Sequence, residues 1–582
     1  MSRIYFSLLM IFCTAANLAA QDEALSKTVE VSRAYEPTIP EAYKINPTPR
    51  IDDTATVSAK FTYPLKQVKP LTEAYLINPI APARVQRERY DASEERNRGY
   101  VRAGLGLKFT TLLDAYYGSE RAQKFVWNVF ANHYANYGDV KMGEESYEKV
   151  ENRNIRNEFG AAGQYNFRRG ALYGRAGFHR RDVRFYGYDT SRFTLNDYIY
   201  DDQAYSQPYA ALSYKSHYLP DTTWSFGGKF SYYNYSSRKP DVGNALAENA
   251  LELNLYAAKK DGWSFLPITS VGLEVNTNVY LRNEALSDKG NNTVVSVIPQ
   301  ATEKRDWWEA AAKLNVTVDN FSGKNKLYLY PVLNLTALIT EDVFFPYVEV
   351  SGNHSANTYK SLTAENPYLT PDTLVSLRNT RAWLLKGGAK GHIGSMFDYD
   401  FSLSYSRVRD MHFFATNTLY SPLSTDSLSA AAPLPRFNRG NYFDVQYDNV
   451  GLFNVSGALR FQPTRAWEFK YFVSYDKYDM DKLPVAYNRP ALNTKLEVRF
   501  NLWNKLTAYA APSVMGGYEA LNYDGKVQRE AGFDLSFGAE YSFFDRSSVF
   551  LQLNNVTNNR YHVYNNYPTY GFNILAGYIC MF

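Results

Sequence analysis

Alternation with a period of two, sustained over segments of about ten residues, is the feature that most constrains the fold of this chain. In residues 532–543 one face is apolar and the other is small or polar. The apolar face carries Phe533, Leu535, Phe537, Ala539, Tyr541 and Phe543, and the other carries Asp534, Ser536, Gly538, Glu540 and Ser542. Segments 467–476, 308–319 and 492–500 repeat the pattern, and 224–235 follows it more loosely. Strands of this length match a tilted crossing of a bilayer, whereas a soluble sandwich uses strands of about five or six residues.

The connections between these segments distinguish a barrel from a sandwich. Read back from the C-terminus, long loops at 557–568, 517–529, 477–488, 417–440 and 353–378 alternate with tight turns. The tight turns are Phe544-Asp545, Leu502-Trp503, Pro463-Thr464, Gly394-Ser395 and Glu341-Asp342. Outer-membrane barrels have this asymmetry, with brief periplasmic turns and longer outer loops. The sequence therefore predicts an all-β transmembrane outer-membrane antiparallel β-barrel of about 22 strands over residues 99–582.

Side-chain faces follow from the same alternation. Phe537 is predicted to face lipid, and Ser536 is predicted to face the lumen and to tolerate arginine. Charged residues of the second face, such as Glu468, Lys470, Asp534 and Glu540, are expected to keep the lumen wet. The last segment places Phe572, Ile574, Ala576, Tyr578, Cys580 and Phe582 on one face. The terminal Phe582 resembles the recognition signal at the end of outer-membrane barrels, and we interpret it as a barrel-end signal.

Composition supports an interface with a membrane. Aromatic residues make up 16% of the chain, with 50 Tyr. A tyrosine suits such an interface because its ring is buried while its hydroxyl keeps a hydrogen bond. Net charge is +4, with acidic and basic residues nearly balanced, so no nucleic-acid partner is indicated. Outer-membrane lipid is the partner that the alternation implies.

Residues 1–20 have the features of a secretory signal peptide. Arg3 supplies a positive start, Ile4–Phe12 is mostly apolar, and small alanines precede Gln21. Cys13 leaves lipidation as an alternative, although Met10-Ile11-Phe12 lacks the small residue that usually precedes a lipidated cysteine. After cleavage only Cys580 remains, so no intramolecular disulfide is expected. The mature chain is predicted to lie in the outer membrane.

Two stretches resemble TonB-dependent receptors. The first runs from Tyr330-Pro331-Val332-Leu333-Asn334-Leu335 through Asn366-Pro367-Tyr368-Leu369-Thr370-Pro371-Asp372 to Leu385-Lys386-Gly387-Gly388. The second is Asn554-Asn555-Val556-Thr557-Asn558-Asn559-Arg560-Tyr561, followed by Tyr567-Pro568, Gly571 and Phe582. The resemblance covers the C-terminal half of the barrel. It implies a 22-strand barrel, solute uptake across the outer membrane and contact with TonB.

The segment before the barrel departs from that family, whose barrels are filled by a plug of well over a hundred residues. Residues 21–98 contain no Gly and eight Pro, so we expect an extended or disordered periplasmic segment. A pentapeptide within it resembles the short TonB-contacting box of the family. It consists of Thr28, Val29, Glu30, Val31 and Ser32.

The same segment contains an internal repeat. Glu41-Ala42-Tyr43-Lys44-Ile45-Asn46-Pro47 recurs as Glu73-Ala74-Tyr75-Leu76-Ile77-Asn78-Pro79, with six identities in seven. One interpretation is a pair of linear motifs that dock on TonB, on another periplasmic or outer-membrane protein, or in the lumen. The other is a duplicated linker.

Residues for catalysis or metal binding are not indicated by any motif. The seven His, at 133, 179, 217, 354, 392, 412 and 562, show no metal-ligand spacing. Gly104-Leu105-Gly106 and Ser322-Gly323-Lys324 are too short for phosphate loops, and we interpret them as strand or turn glycines. No cofactor, metal site or enzyme activity is predicted.

Three functions are compatible with such a chain. Solute uptake is favoured by the family resemblance. A plug-less barrel acting as a scaffold in an envelope assembly or secretion complex is the alternative, and a surface enzyme is the third. A 22-strand barrel has a lumen too wide for its own side chains to fill, so something must close it. The N-terminal segment, a folded outer loop or a partner protein are the three candidates.

Overall fold

The computed structural model describes most of the predicted barrel. It covers residues 98–582 apart from 120–123, 143–148, 194–201, 217–222, 239–244, 261–267, 284–289, 340–342, 371–374, 376, 395, 419–438, 504 and 545. The predicted signal peptide and residues 21–97 lie outside the described part, as does the turn at 341–342. Those assignments stay predictions.

Twenty-two antiparallel strands form the wall, which confirms the predicted fold class. They are β1 (Gly99–Gly106), β2 (Thr110–Gly118), β3 (Phe125–Asn136), β6 (Asn154–Phe167), β7 (Gly170–Arg184), β8 (Asp202–Ser216), β9 (Trp224–Ser237), β10 (Ala247–Lys260), β11 (Ser270–Arg282), β12 (Asn292–Lys304), β13 (Trp308–Phe321), β14 (Lys324–Ala337), β15 (Phe345–Ala356), β16 (Asn379–Ile393), β17 (Phe397–Thr416), β18 (Phe443–Phe461), β19 (Trp467–Met480), β20 (Leu492–Leu502), β21 (Leu506–Met515), β24 (Gly532–Phe544), β25 (Ser547–Asn554) and β28 (Asn573–Met581). Each pairs with the next strand of the wall, and β1 pairs with β28 from Tyr100 opposite Met581 to Gly106 opposite Leu575. That last pairing closes the ring.

Smaller elements lie in the loops. They are the hairpin strands β4 (Asp139–Lys141), β5 (Lys149–Glu151), β22 (Tyr518–Asn522), β23 (Gly525–Arg529), β26 (His562–Tyr564) and β27 (Tyr567–Pro568), and the helix α1 (Tyr359–Glu365). Among the described residues, no helix is both long enough and apolar enough to cross a bilayer.

The two faces of the wall differ as the alternation predicts. On β24, Phe533, Phe537 and Tyr541 are exposed on the outside, whereas Asp534 and Ser536 are buried on the inside. An exposed aromatic side chain is unfavourable in water but favourable in lipid, so the outer face belongs in a bilayer. The predicted lipid and lumen faces of β24 are confirmed.

Aromatic side chains form a belt at the end of the barrel that carries the short turns. Trp224, Trp307, Trp467, Trp503, Phe544 and Phe582 are all exposed there. Tryptophan and phenylalanine collect where the hydrocarbon of a bilayer meets its headgroups. Because brief turns mark the periplasmic side, this belt marks the inner edge of the membrane.

The predicted rhythm of connections is confirmed in the C-terminal half. Short turns join β16 to β17, β18 to β19, β20 to β21 and β24 to β25, and long loops lie at the opposite end. The N-terminal half has two exceptions at the outer end. The β1–β2 connection is three residues long, and the β13–β14 connection is Ser322-Gly323, both with positive φ (52° and 73°). Two successive residues with positive φ suit a tight hairpin whose twist matches the strands.

The pairing between β14 and β15 is the shortest in the wall. It runs from Leu333 opposite Val350 to Thr336 opposite Tyr347. Beyond it, the ring of Tyr330 fills the space between the strands and lies 5.5 Å from the ring of Trp383. A Cβ on Gly352 would come within 2.4 Å of Tyr330 Cδ1, so glycine is needed there for the tyrosine to fit.

Candidate functional site

Loops at the outer end fold inward and pack across the mouth of the barrel. They comprise residues 185–193, 357–370, 439–442, 481–491, 516–531 and 555–572, which we call the cap. Most of their buried apolar side chains belong to one cluster rich in tyrosine, and Tyr487 belongs to a second cluster with Phe413, Ala415 and Val450 of the wall. Loops normally run over a protein surface, so an inward-packed set needs its own core and its own hydrogen bonds.

Three tyrosines meet at the centre of this cap. They are Tyr186 in the loop after β7, Tyr368 in the loop after β15 and Tyr567 in the loop after β25. These are the fifth, thirteenth and twenty-first of the 22 strands around the ring. The rings of Tyr368 and Tyr567 stack with centroids 3.8 Å apart, and Tyr186 meets them edge-on at 6.1 and 4.9 Å. Because these strands are spaced at about thirds of the circumference, the contact spans the mouth.

Tyrosine hydroxyls satisfy backbone carbonyls of neighbouring loops. Tyr186 donates to the carbonyl of Pro568 at 2.8 Å, Tyr205 to that of Pro367 at 2.8 Å, and Tyr567 to that of Asn441 at 2.6 Å. A buried carbonyl without a partner would cost about 1–3 kcal/mol. Each tyrosine therefore supplies both apolar area and a polar anchor.

The loop between β25 and β28 is fixed by asparagines. Asn565 is buried, and its Nδ2 donates to Thr416 Oγ1 and to the carbonyl of Leu521, both at 2.9 Å. Its backbone N–H donates to Asn488 Oδ1 at 2.9 Å. Asn566 has a φ of +64°, a conformation that asparagine adopts more readily than most residues. One hairpin turn thus connects the loops that follow β17, β19 and β21.

A half-buried ion cluster attaches α1 to the wall. Glu365 Oε1 lies 2.7 Å from Arg489 Nη1, and Glu365 Oε2 lies 2.7 Å from His412 Nε2. Burial raises the pKa of Glu365, but Arg489 and His412 together outweigh it and lower that pKa to about 2. The hydroxyl of Tyr564 also donates to the carbonyl of Glu365 at 2.7 Å. Glu365 therefore joins the helix, strand β17 and two further loops.

We expect the cap to loosen in acid in two stages. Burial and, to a smaller extent, the positive charge of Arg529 lower the pKa of His562 from 6.5 to about 3. The contribution of neutral His562 to the stability of the cap is therefore complete above pH 6.5 and is lost as the pH falls towards 3. Because the pKa of Glu365 is lowered, the contribution of its carboxylate to the stability of the cap is complete above pH 4.5 and is lost as the pH falls towards 2. Hydrogen exchange of residues 555–572, corrected for the intrinsic rate, should therefore accelerate below pH 6.5.

The control for this expectation is His562→Gln, which removes the first titration. In His562→Gln, the corrected hydrogen exchange rate of residues 555–572 should be constant between pH 6.5 and 4.5 and should rise only below pH 4.5. An identical pH profile in the native chain and in His562→Gln would contradict the assignment.

The lumen wall near the periplasmic end is charged, as expected for Glu468 and Lys470. Arg460 Nε and Lys470 Nζ lie 2.8 and 3.1 Å from the Glu468 carboxylate. Arg499 lies 2.6 Å from Glu497. The Arg460–Glu468 pair joins β18 to β19, whereas Lys470–Glu468 and Arg499–Glu497 each lie within one strand, and together these pairs keep a wide lumen polar while neutralising its charges.

The residues singled out in the sequence divide into two groups. The pentapeptide 28–32 and the repeats at 41–47 and 73–79 lie outside the described part of the chain. Phe582 is described, and its N–H donates to the carbonyl of Gly99 at 3.0 Å beside the ring of Tyr117. It therefore lies at the joint that closes the ring, and its role as a recognition signal stays a prediction.

A folded outer loop was one of the three elements that the sequence left as candidates for closing the lumen, but the residues that form the cap were not predicted. Two of its three central tyrosines, however, lie in the stretches that resemble TonB-dependent receptors, since Tyr368 follows Asn366-Pro367 and Tyr567 precedes Pro568. In the described residues no cluster of His, Cys, Asp and Glu is arranged to hold a metal ion.

Comparisons with known proteins bear on the fold. No protein-family model matches the sequence, and no curated protein matches it. The FrpB iron transporter of Neisseria meningitidis (F3-3 variant) is similar in structure, with a TM-score of 0.64 and 12% identity over 84% of this chain and 82% of that chain. The fold is that of a TonB-dependent receptor barrel.

Two further structures agree. The siderophore receptor PirA of Acinetobacter baumannii has a TM-score of 0.61 and 11% identity over 84% of this chain and 81% of that chain. FpvA of Pseudomonas aeruginosa, in a complex with a pyoverdine and iron, has a TM-score of 0.59 and 10% identity over 84% and 72%. At these identities the likeness concerns the barrel fold, and it confirms the fold that the sequence resemblance implied.

Proposed function

We propose that this chain is an outer-membrane receptor that takes up a solute through its lumen when the cap opens. The observation that carries the proposal is a 22-strand barrel with a polar wall whose outer mouth is closed by loops. A barrel that only anchored other proteins would need neither the width nor the charged interior. The similar structures named as an iron transporter and as siderophore receptors support an uptake role.

Opening such a cap requires energy from outside the barrel, because its core and ion cluster stabilise the closed state. The pentapeptide 28–32 is the candidate contact for TonB in the periplasm. It would add a strand to the partner through backbone hydrogen bonds, which is how short extended peptides commonly bind. The repeats at 41–47 and 73–79 are candidates for a second contact.

Uptake can be tested without knowing the solute. Cells with the native chain should deplete at least one solute from a defined medium that cells without the chain leave behind, as followed by mass spectrometry. If the repeats dock an energising partner, Tyr43→Ala/Tyr75→Ala should abolish that depletion, because aromatic anchors dominate small interfaces. Tyr35→Ala/Tyr63→Ala, in the same segment but outside the repeats, is the matched control and should behave like the native chain.

The scaffold role is the second candidate, and the near-identity of the two repeats favours it. Under that role Tyr43→Ala/Tyr75→Ala would remove a protein that co-purifies with the native chain in mild detergent. Identical solute depletion by cells with and without the chain, together with loss of that protein, would refute uptake in favour of the scaffold.

A further inference from the structure

A polar chamber lies under the cap, on the lumen face of the wall. Its volume is about 360 Å³, and it is bounded by β6, β7, β8 and β9 and by the underside of α1. Its polar lining includes Glu158, Arg175, Arg181, Gln207, Tyr209 and Lys360. A solute that passed the open cap next to these strands would meet this chamber first.

One of its positive charges is neutralised within the wall. Arg175 Nη2 lies 2.8 Å from Glu158 Oε1, and the hydroxyl of Tyr209 donates to the same oxygen at 2.6 Å. The Arg175 guanidinium is also flanked by the rings of Phe130 and Tyr209, at 4.6 and 5.4 Å. This pair therefore contributes no net charge to the chamber.

Arg181 and Lys360 do contribute net charge. Among the described residues, neither has a carboxylate within ion-pair distance; the nearest acidic groups that favour the charged form of Lys360 are Glu252 and Glu248, and Lys360 Nζ lies 4.0 Å from the centre of the Tyr233 ring. The other guanidinium of this region, Arg156, is directly opposite Arg181 in the β6–β7 pairing. The described side chains that line the chamber therefore carry an excess of positive charge.

Arg181 is the most unusual of these groups. Its exposed fraction is 6%, and within the described residues its guanidinium donates one long hydrogen bond, of 3.4 Å from Nη1 to the carbonyl of Thr363 on α1. In the described part of the chain, its Nε and Nη2 have no acceptor. A buried charged donor is costly unless it is paired, and Nε with Nη2 forms the fork that binds two oxygens of one carboxylate or phosphate.

We propose that this chamber binds an oxyanion group of the solute, a carboxylate or a phosphate, on Arg181 with Lys360 as the second contact. The proposal rests on the proposed uptake function and specifies the chemical class of its solute. Lys360 and the Thr363 carbonyl both belong to α1, so an anion bound here contacts the wall and the cap together. Binding therefore acts on the element that the Glu365 cluster holds in place.

Equilibrium dialysis of the purified full chain in detergent tests this, with radiolabelled inorganic phosphate and citrate as the two probes. We expect saturable binding of at least one probe, and the tighter of the two identifies phosphate or carboxylate as the group recognised. Arg181→Gln should weaken that binding by at least about tenfold, because a bidentate charge-assisted contact is lost. Arg180→Gln is the matched control. Arg180 directly precedes Arg181 on β7, so its side chain points to the other face of the wall, and its Nη2 lies 2.9 Å from Asp182 Oδ1.

Heat-modifiable migration on gels establishes that each variant is folded. If Arg181→Gln does not fold, Lys360→Gln on α1 replaces it and should also weaken binding. Absence of saturable binding to the folded native chain, or equal binding by Arg181→Gln and Arg180→Gln, would overturn the proposal. Dialysis measures binding without transport, so an absence of anion binding would not contradict the uptake function. Conversely, an absence of solute depletion would not contradict a measured anion site.

Discussion

Phe537→Arg should prevent stable insertion of the barrel. Phe537 lies near the middle of β24 on the outer face and is 38% exposed, so an arginine there would place its charge in the hydrocarbon of the bilayer. The cost is about 2–4 kcal/mol at the midplane of an outer-membrane barrel. The measurement is the fraction of chain that shows heat-modifiable migration in the outer-membrane fraction, which should fall sharply.

The control for this change is an arginine aimed at the lumen. The sequence predicted that Ser536 would tolerate one because it faces the lumen, and that prediction stays untested. Ser536 does face the lumen, but it is 3% exposed and accepts a hydrogen bond from the backbone of Asn555 in the cap. Gln164 on β6 faces the lumen without being buried, so Gln164→Arg should insert normally. Equal insertion of Phe537→Arg and Gln164→Arg would contradict the assigned faces.

Ser536 shows where sequence reasoning works and where it stops. The face of each strand residue follows from alternation, which is a local property, and the strand number follows from counting segments. The inward packing of the loops depends on contacts between residues far apart in the chain. The hydrogen bond from Tyr186 to Pro568 joins residues 382 apart, and no period or spacing encodes it.

The two short outer connections, β1–β2 and β13–β14, break the predicted alternation of long and short loops, and the sequence could not place them for a similar reason. Gly323 was interpreted as a strand or turn glycine, and its place at the outer end depends on the count of strands before it. That count was ambiguous over 262–320, because β12 mixes polar and apolar residues on both faces and contains Pro299. A tight outer turn adds little to the cap: the β1–β2 turn supplies a hydrogen bond from Lys108 Nζ to the carbonyl of Tyr570 at 2.6 Å, and the longer loops supply the core of the cap.

Tyr368→Ala/Tyr567→Ala should open the mouth of the barrel while leaving the wall intact. Both rings are buried in the cap and stack on each other at 3.8 Å. Truncating one large buried aromatic to alanine costs about 3–5 kcal/mol, and the double change also removes the hydrogen bond from Tyr567 to Asn441. Cells with this variant should become sensitive to large antibiotics that the native chain excludes.

Tyr541→Ala is the matched control for the cap variant. Tyr541 lies on the lipid face of β24, outside the cap, and its loss should leave antibiotic resistance unchanged. Normal heat-modifiable migration of the double variant would show that the strands still form the barrel. Sensitivity in Tyr541→Ala equal to that of the double variant would point to general damage of the wall.

Single-channel conductance in a planar lipid bilayer tests most directly the claim that the cap closes this barrel. We expect the native chain to be almost non-conducting, and Tyr368→Ala/Tyr567→Ala to show large, stable openings consistent with the lumen of a 22-strand barrel. Tyr541→Ala should stay as closed as the native chain. A folded double variant that remains non-conducting would show that another element closes the lumen, and a native chain that conducts freely would show that the cap closes nothing.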